Sequence, residues 1–378
     1  MRYLLATWTL LLLVACETAS IKPMQDQQDA LNLSTEEDRL WHSAKQLDKQ
    51  LEQADYLYED EALQAYLESV MHKLYPEYGG AIKVRVVDSP SLNAFALPNG
   101  SIYINTGMLS RLENEAQVAT VLAHEGVHFT HKHSWQQRRS MKRSTALSVG
   151  FSIVTGIPAL GDLVALSSIY GFSKDLEREA DKEGFQRLLA AGYDVSQAPV
   201  TFEFLLAEVK ALDIEEPYFF STHPGLEERI KSFKELVRQH GSTDGYQGTD
   251  VYHDHVGKLR LKLLADYLQL SRHQSVLLIL ERPDAFVRYP PSAYYYLGEA
   301  YRLRNEDGDA ERALAAYHSA LQQAPEFAPT YRALGLYYMK QDQAGKAEGY
   351  FSRYLELQPE APDRDYIEYY RSRLKDRR

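Results

Sequence analysis

Val121-Leu122-Ala123-His124-Glu125-Gly126-Val127-His128 decides the reading of this 378-residue chain. The stretch sits in residues 113–133, which read as one helix beginning near Asn114. Residues four apart on a helix project from the same face, so His124 and His128 bring two imidazoles to one point. Such a pair can hold a zinc ion. Glu125, beside the first histidine, is positioned to take a proton from a water activated there. The His-Glu-x-x-His pattern alone recurs by chance and needs context. His131 and His133 follow as competing ligands, although neither shares the face of His124 as well as His128 does.

The context lies downstream. Zinc needs a third protein ligand, and Glu177-Arg178-Glu179-Ala180-Asp181 begins 53 residues after His124, on a predicted helix that Gly192 ends. Glu177 and Asp181 share a helix face, with Glu179 pointing elsewhere. Glu177 is therefore the expected third ligand, and Asp181 the carboxylate that orients a ligand histidine from behind. Taken alone, so charged a run reads as a solvated helix; its pairing with the upstream box changes that.

Upstream, the apolar period changes from helix to strand. Ile82 to Val87 alternate, and Phe95-Ala96-Leu97 and Ser101-Ile102-Tyr103-Ile104 flank the turn signal Pro98-Asn99-Gly100. A small sheet with an exposed edge is expected. Ser34 and Glu37 form a capping-box pattern ahead of a helix carrying Trp41, Leu47 and Leu51, and a second helix stops before Pro76. Residues 146–170 are apolar but broken by Gly150, Gly156, Pro158 and Gly161, and they contain Asp162. Those breaks argue for a segment buried in the protein or covering the site, rather than a membrane span.

The blocks Asn93-Ala94-Phe95-Ala96-Leu97-Pro98-Asn99-Gly100, Ile102-Tyr103, Thr106-Gly107, Glu115, Val121 to Glu125 with His128, and Glu177 with Glu179-Ala180-Asp181 resemble the M48 family of peptidases. That family includes the CAAX prenyl proteases and HtpX-like quality-control proteases. The resemblance covers roughly residues 63–236. It implies a gluzincin-like domain with one zinc ion per chain, His124, His128 and Glu177 as ligands, and Glu125 as catalytic base. It also implies that Asn93, Ala94, Phe95 and Ala96 form the edge to which an extended substrate adds by backbone hydrogen bonds. Ser221-Thr222-His223-Pro224 matches a further block, which gives His223 a catalytic part: stabilising an oxyanion, or acting as a removable fourth ligand that keeps the enzyme latent. Two departures are Lys132-His133, where the family often has Arg-His, and Gly126, a poor helix former.

Beyond residues 241–248, a short glycine-rich polar stretch read as a domain boundary, the chain repeats. Ala313, Tyr317 and Pro325 recur as Ala347, Phe351 and Pro359, each 34 residues later. Leu297-Gly298 recurs 37 residues later as Leu334-Gly335, which places a three-residue insertion near Asn305 to Asp309. This pattern resembles the tetratricopeptide repeat, in which stacked helix pairs make a concave protein-binding groove. One or two degenerate copies are expected in residues 251–288. A repeat tail behind the peptidase domain resembles the periplasmic BepA-type members of the family, which assist outer-membrane β-barrel assembly and degrade failed substrates.

The N-terminus reads as a targeting segment: Arg2, an apolar run from Leu4, then Leu13-Val14-Ala15-Cys16, similar to a bacterial lipobox. Cys16 is the single cysteine, so it is the expected lipidation site, and no internal disulfide can form. A net charge of −11 argues against a nucleic-acid partner.

The expected architecture is α+β: residues 1–15 a lipoprotein signal peptide, 16–33 a linker, 34–240 a mostly helical zinc metalloprotease domain with a small sheet, and 249–378 an all-α tetratricopeptide-repeat domain. The expected protein is held to a membrane by a lipid anchor in the bacterial periplasm, at the outer membrane. Its expected partners are unfolded or misassembled proteins and a protein in the repeat groove, such as the outer-membrane assembly machinery. The rival expectation is a chaperone or assembly factor with a largely latent protease site.

Overall fold

The computed structural model describes residues 21–143, 172–212, 225–241 and 244–375. The leader with Cys16, the apolar run 146–170 and the block containing His223 lie outside the described residues.

Within them the chain is α+β. A mostly helical unit contains α1 (Gln27–Leu31), α2 (Thr35–Gln53), α3 (Glu61–Leu74), β1 (Lys83–Val87), β2 (Ala94–Ala96), β3 (Ser101–Asn105), α4 (Thr106–Arg111), α5 (Glu115–Thr130), α6 (His133–Arg143), α7 (Lys174–Ala190), α8 (Gln197–Leu212) and α9 (Leu226–His240). The capping box forms as the sequence suggests: Ser34 Oγ accepts from Glu37 N, and the Glu37 carboxylate accepts from Ser34 N at 2.8 Å. The resulting helix buries Leu40, Ala44, Leu47 and Leu51 on one stripe. α3 stops at Tyr75 because Pro76 disfavours helical backbone in the residue before it.

The sheet has the order β1-β3-β2, with β1 parallel and β2 antiparallel to β3. Gly100, at φ +88°, closes the turn between β2 and β3. Asp48 of α2 pins that turn by accepting from Asn99 Nδ2 at 2.5 Å, Ser101 Oγ at 2.8 Å and Tyr103 OH at 2.7 Å. β2 is the sheet edge, yet its side chains are not exposed. Phe95 stacks on Tyr103 toward α2, while Ala94 and Ala96 enter the main core beside α5. Asn93 O accepts from Asn105 N and Leu97 N donates to Ser101 O, so the backbone groups of Ala94 and Ala96 point away from β3.

α5 is the central helix. Every residue from Glu115 to Thr130 is buried, with α3, α7, α8 and β2 packed around it. This burial explains Gly126. The Tyr75 ring lies across the helix there, a Cβ would sit 2.3 Å from it, and the Tyr75 hydroxyl donates to Ala123 O at 2.5 Å. Glycine costs a helix about 1 kcal/mol relative to alanine, and here it makes room for a fully buried tyrosine.

Helices alone follow: α10 (Thr249–Gln269), α11 (His273–Leu280), α12 (Ala285–Arg288), α13 (Ala293–Arg304), α14 (Asp309–Gln323), α15 (Ala328–Lys340), α16 (Ala344–Leu357) and α17 (Arg364–Lys375). α10 serves both units. Tyr252, Val256 and Leu259 join the core around α5, whereas Leu263, Leu264 and Tyr267 join a second core with α11 and α13. Between them, buried Arg260 donates to the carbonyls of Ser110, Leu112 and Arg288. The stretch ahead of α10 is itself held down: Tyr246 N donates to Gly192 O, and Ala116 N donates to Gln247 O. α13 with α14 and α15 with α16 form successive helix pairs. In each, a glycine admits an aromatic ring: a Cβ on Gly298 would lie 2.5 Å from Tyr317, and one on Gly335 would lie 2.5 Å from Phe351.

Candidate metal centre

The structure gathers His124, His128 and Glu177 into one buried cluster. The two Nε2 atoms are 3.0 Å apart. Glu177 of α7 brings Oε2 to 3.4 Å from His124 Nε2 and Oε1 to 3.5 Å from His128 Nε2. One ligand atom from each residue falls within 4.8 Å of the others. α7 comes this close because Gly184 packs against the backbone of α5, where a Cβ would stand 3.3 Å from His124 N. Two imidazole nitrogens and a carboxylate oxygen are a donor set suited to zinc.

Glu125 follows His124 on the helix and is 0% exposed; His124, His128 and Glu177 are at most 2% exposed. Behind His124, its Nδ1 lies 3.0 Å from Asp181 Oδ1. Burial and the Arg229 cation both lower the affinity of this imidazole for a proton. The Asp181 and Glu177 carboxylates outweigh them and push its pKa up to about 9. Asp181 is itself buried, which would raise its pKa, but Arg229 and His124 hold it below the usual carboxylate range. A metal at this centre must therefore displace a proton from His124.

Arg229 was not singled out in the sequence. It comes from α9, only 3% exposed, and its guanidinium lies over the Phe202 ring at 4.2 Å. It bonds Asp181 and stands 3.5 Å from Glu177 Oε2. A signal was present: Leu226, Arg229, Ile230 and Phe233 follow the apolar spacing of a buried helix face, so the arginine sits where a hydrophobic residue is expected.

The two extra histidines separate. His131 caps α5 and contacts Thr130 Oγ1 at 3.1 Å, away from the cluster. His133 is 0% exposed and places Nδ1 2.9 Å from His128 Nδ1. Burial depresses its imidazole to about 3, so it is neutral. Phe172 stacks on the His128 ring, with centroids 3.8 Å apart. A shallow apolar concavity lined by Leu40, Pro98, Phe129 and Trp135 reaches His128 from the side of the β2–β3 turn.

The chain matches the family model Peptidase family M48 over residues 59–237. It is 27% identical over 207 residues to the beta-barrel assembly-enhancing protease of Escherichia coli K12, covering 50% of this chain and 42% of that protein. It is 32% identical over 169 residues to the mitochondrial metalloendopeptidase OMA1 of Danio rerio, covering 41% of this chain and 35% of that protein. The OMA1 of Arabidopsis thaliana is 33% identical over 156 residues, covering 39% of this chain and 30% of that protein. The chain thus spans well under two thirds of each relative. Family M48 peptidases use zinc, in keeping with the donor set. Residues 59–237 of this chain are therefore a metallopeptidase domain of family M48.

Proposed function

We propose that the chain is a zinc-dependent endopeptidase that acts on misfolded or stalled envelope proteins in the bacterial periplasm. The observation that carries this reading is the convergence of Glu177, from α7, on His124 and His128 of the buried helix α5, beside Glu125. In this role the three ligand residues hold one zinc ion, and Asp181 orients His124. Zinc bound there would supply a Lewis acid able to polarise a peptide carbonyl and acidify a water. Glu125 would serve as the base that takes a proton from the attacking water and returns it to the leaving amine. The outward backbone groups of Ala94 and Ala96 offer an edge for an extended substrate, with Asn93 and Phe95 paired inward to β3.

The relatives named beta-barrel assembly-enhancing protease support an envelope role. The C-terminal helix pairs, with their recurring glycine–aromatic contact, support the tetratricopeptide reading. A cavity of about 430 Å³ among them, lined by Tyr295, Arg302, Tyr317, Arg332 and Tyr337, is suited to a protein partner such as the outer-membrane assembly machinery. None of the described helices is long and apolar enough to cross a membrane. Lipidation of Cys16 is proposed to supply the anchor, at the outer membrane.

One observation favours a second reading, a chaperone or assembly factor with a latent site: Glu125 and all three ligand groups are buried. A single experiment separates the two. Purified protein is assayed for zinc and for cleavage of an unfolded protein, beside Glu125→Gln. The endopeptidase reading requires about one zinc per chain in both, with cleavage by the wild type alone. Zinc without cleavage in either protein supports latency, and no zinc in the wild type removes both readings.

A further inference from the structure

We infer that His133 is a positioning residue that fixes the ring of His128 so that its Nε2 faces the metal. This inference rests on the zinc reading above. The two ligand histidines are held differently. His124 Nδ1 meets a carboxylate, Asp181, at 3.0 Å. His128 Nδ1 meets another imidazole, the Nδ1 of His133, at 2.9 Å.

Proton placement follows from the contacts. His128 must present a lone pair at Nε2 to bind metal, so its proton sits on Nδ1 and is donated to His133. His133 can accept at Nδ1 only as the tautomer protonated at Nε2. That Nε2 makes no hydrogen bond among the described residues, but it lies 3.4 Å from Glu179 Oε2, whose negative charge favours a proton there over a lone pair. The rings of His128 and His133 are nearly perpendicular, at 75°, which aims the nitrogens at each other rather than stacking the faces. Phe172 stacks on the face of the His128 ring. The ring is thus held in its plane by one contact and fixed in tautomer by the other. The Lys132–His133 dipeptide can reach this position because Lys132 adopts φ +55°, turning the chain directly after α5.

The test measures zinc affinity by chelator competition and the visible spectrum of the cobalt-substituted protein, in the full chain. His133→Leu removes the acceptor, and His133→Asn keeps an acceptor near the Nδ1 position. We expect His133→Leu to lose roughly 10- to 100-fold in zinc affinity, with shifted cobalt bands, and His133→Asn to stay within about threefold of wild type. Wild-type affinity and spectrum in His133→Leu overturn the assignment. So does an equal loss in both variants that tracks an equal fall in the apoprotein's unfolding midpoint, since that would mark a packing role. If His133→Leu does not fold, His133→Asn decides alone: retained zinc and spectrum support the role, and lost zinc in a normally folded apoprotein overturns it. Absence of zinc from the wild type instead overturns the zinc reading itself.

Discussion

Arg229 clamps Asp181: its Nε donates to the two carboxylate oxygens at 3.1 and 3.0 Å, and its Nη2 donates to Oδ1 at 2.7 Å. His124 Nδ1 lies 3.0 Å from the same Oδ1, so α9 is tied to the helix that carries the histidines through the Asp181 carboxylate that both groups share. Removing one partner of a buried ion pair leaves the other charge uncompensated, at a cost of about 3–5 kcal/mol. Arg229→Met is therefore expected to lower unfolding stability by that order in urea titrations of the apoprotein. A midpoint unchanged from wild type would show that the clamp is structurally idle.

Glu177 and Glu179 are two residues apart on α7 but differ in burial: Glu177 is 2% exposed and in the cluster, and the Glu179 side chain is 44% exposed. Glu177→Gln is expected to cost most of the zinc after mild chelation, because an amide oxygen is a far weaker ligand than a carboxylate. Glu179→Gln is expected to change zinc affinity by at most about threefold, since that residue acts only behind His133. Comparable metal content in the two variants, by elemental analysis, would mean that the third ligand lies elsewhere.

The histidine–glutamate box was legible because its geometry is local: one helix fixes the spacing of His124, Glu125 and His128. Glu177 and Asp181 were legible for the same reason on a second helix. Arg229 was not, because it reaches the cluster from 105 residues beyond His124 and no local periodicity links the two. The role inferred for His133 depends on the sharp turn at Lys132, which side-chain spacing on a continuous helix does not anticipate. Likewise the sequence identifies α10 as a helix, but not that its first half packs on the core around α5 while its second half packs on α11 and α13. The small sheet was legible from alternation and a turn signal. The burial of Phe95 was not, because the covering residues come from α2, far back in the chain.

His124 has a proton to lose. Its pKa of about 9, above the ordinary histidine value of 6.5, means that the apoprotein holds this imidazole charged at neutral pH. Zinc affinity is expected to tighten by about tenfold per pH unit between pH 7 and 9, then level off, as measured with a pH-corrected competing chelator. Apoprotein stability has the opposite sign. A raised folded-state pKa contributes stability that is complete below pH 6.5 and is lost as pH rises through 9. Zinc affinity that stays flat across pH 7–9 would show that no such proton is displaced.

The part proposed for His223 takes two forms with opposite signs in one assay. As a fourth ligand in the resting enzyme, it would occupy the position that the catalytic water needs. His223→Ala would then open the site and raise basal cleavage of an unfolded protein. As an oxyanion donor, it would contribute only while the carbonyl is under attack, and the same substitution would cut the rate by about 100-fold or more. We expect the rise. Glu125 is 0% exposed and the three ligand groups are at most 2% exposed, a burial that favours the latch. An endopeptidase with the role proposed above, among unfolded envelope proteins, would need its site closed at rest to avoid indiscriminate cleavage. A fall in cleavage for His223→Ala, with zinc content equal to wild type, would remove the latch and leave the oxyanion role.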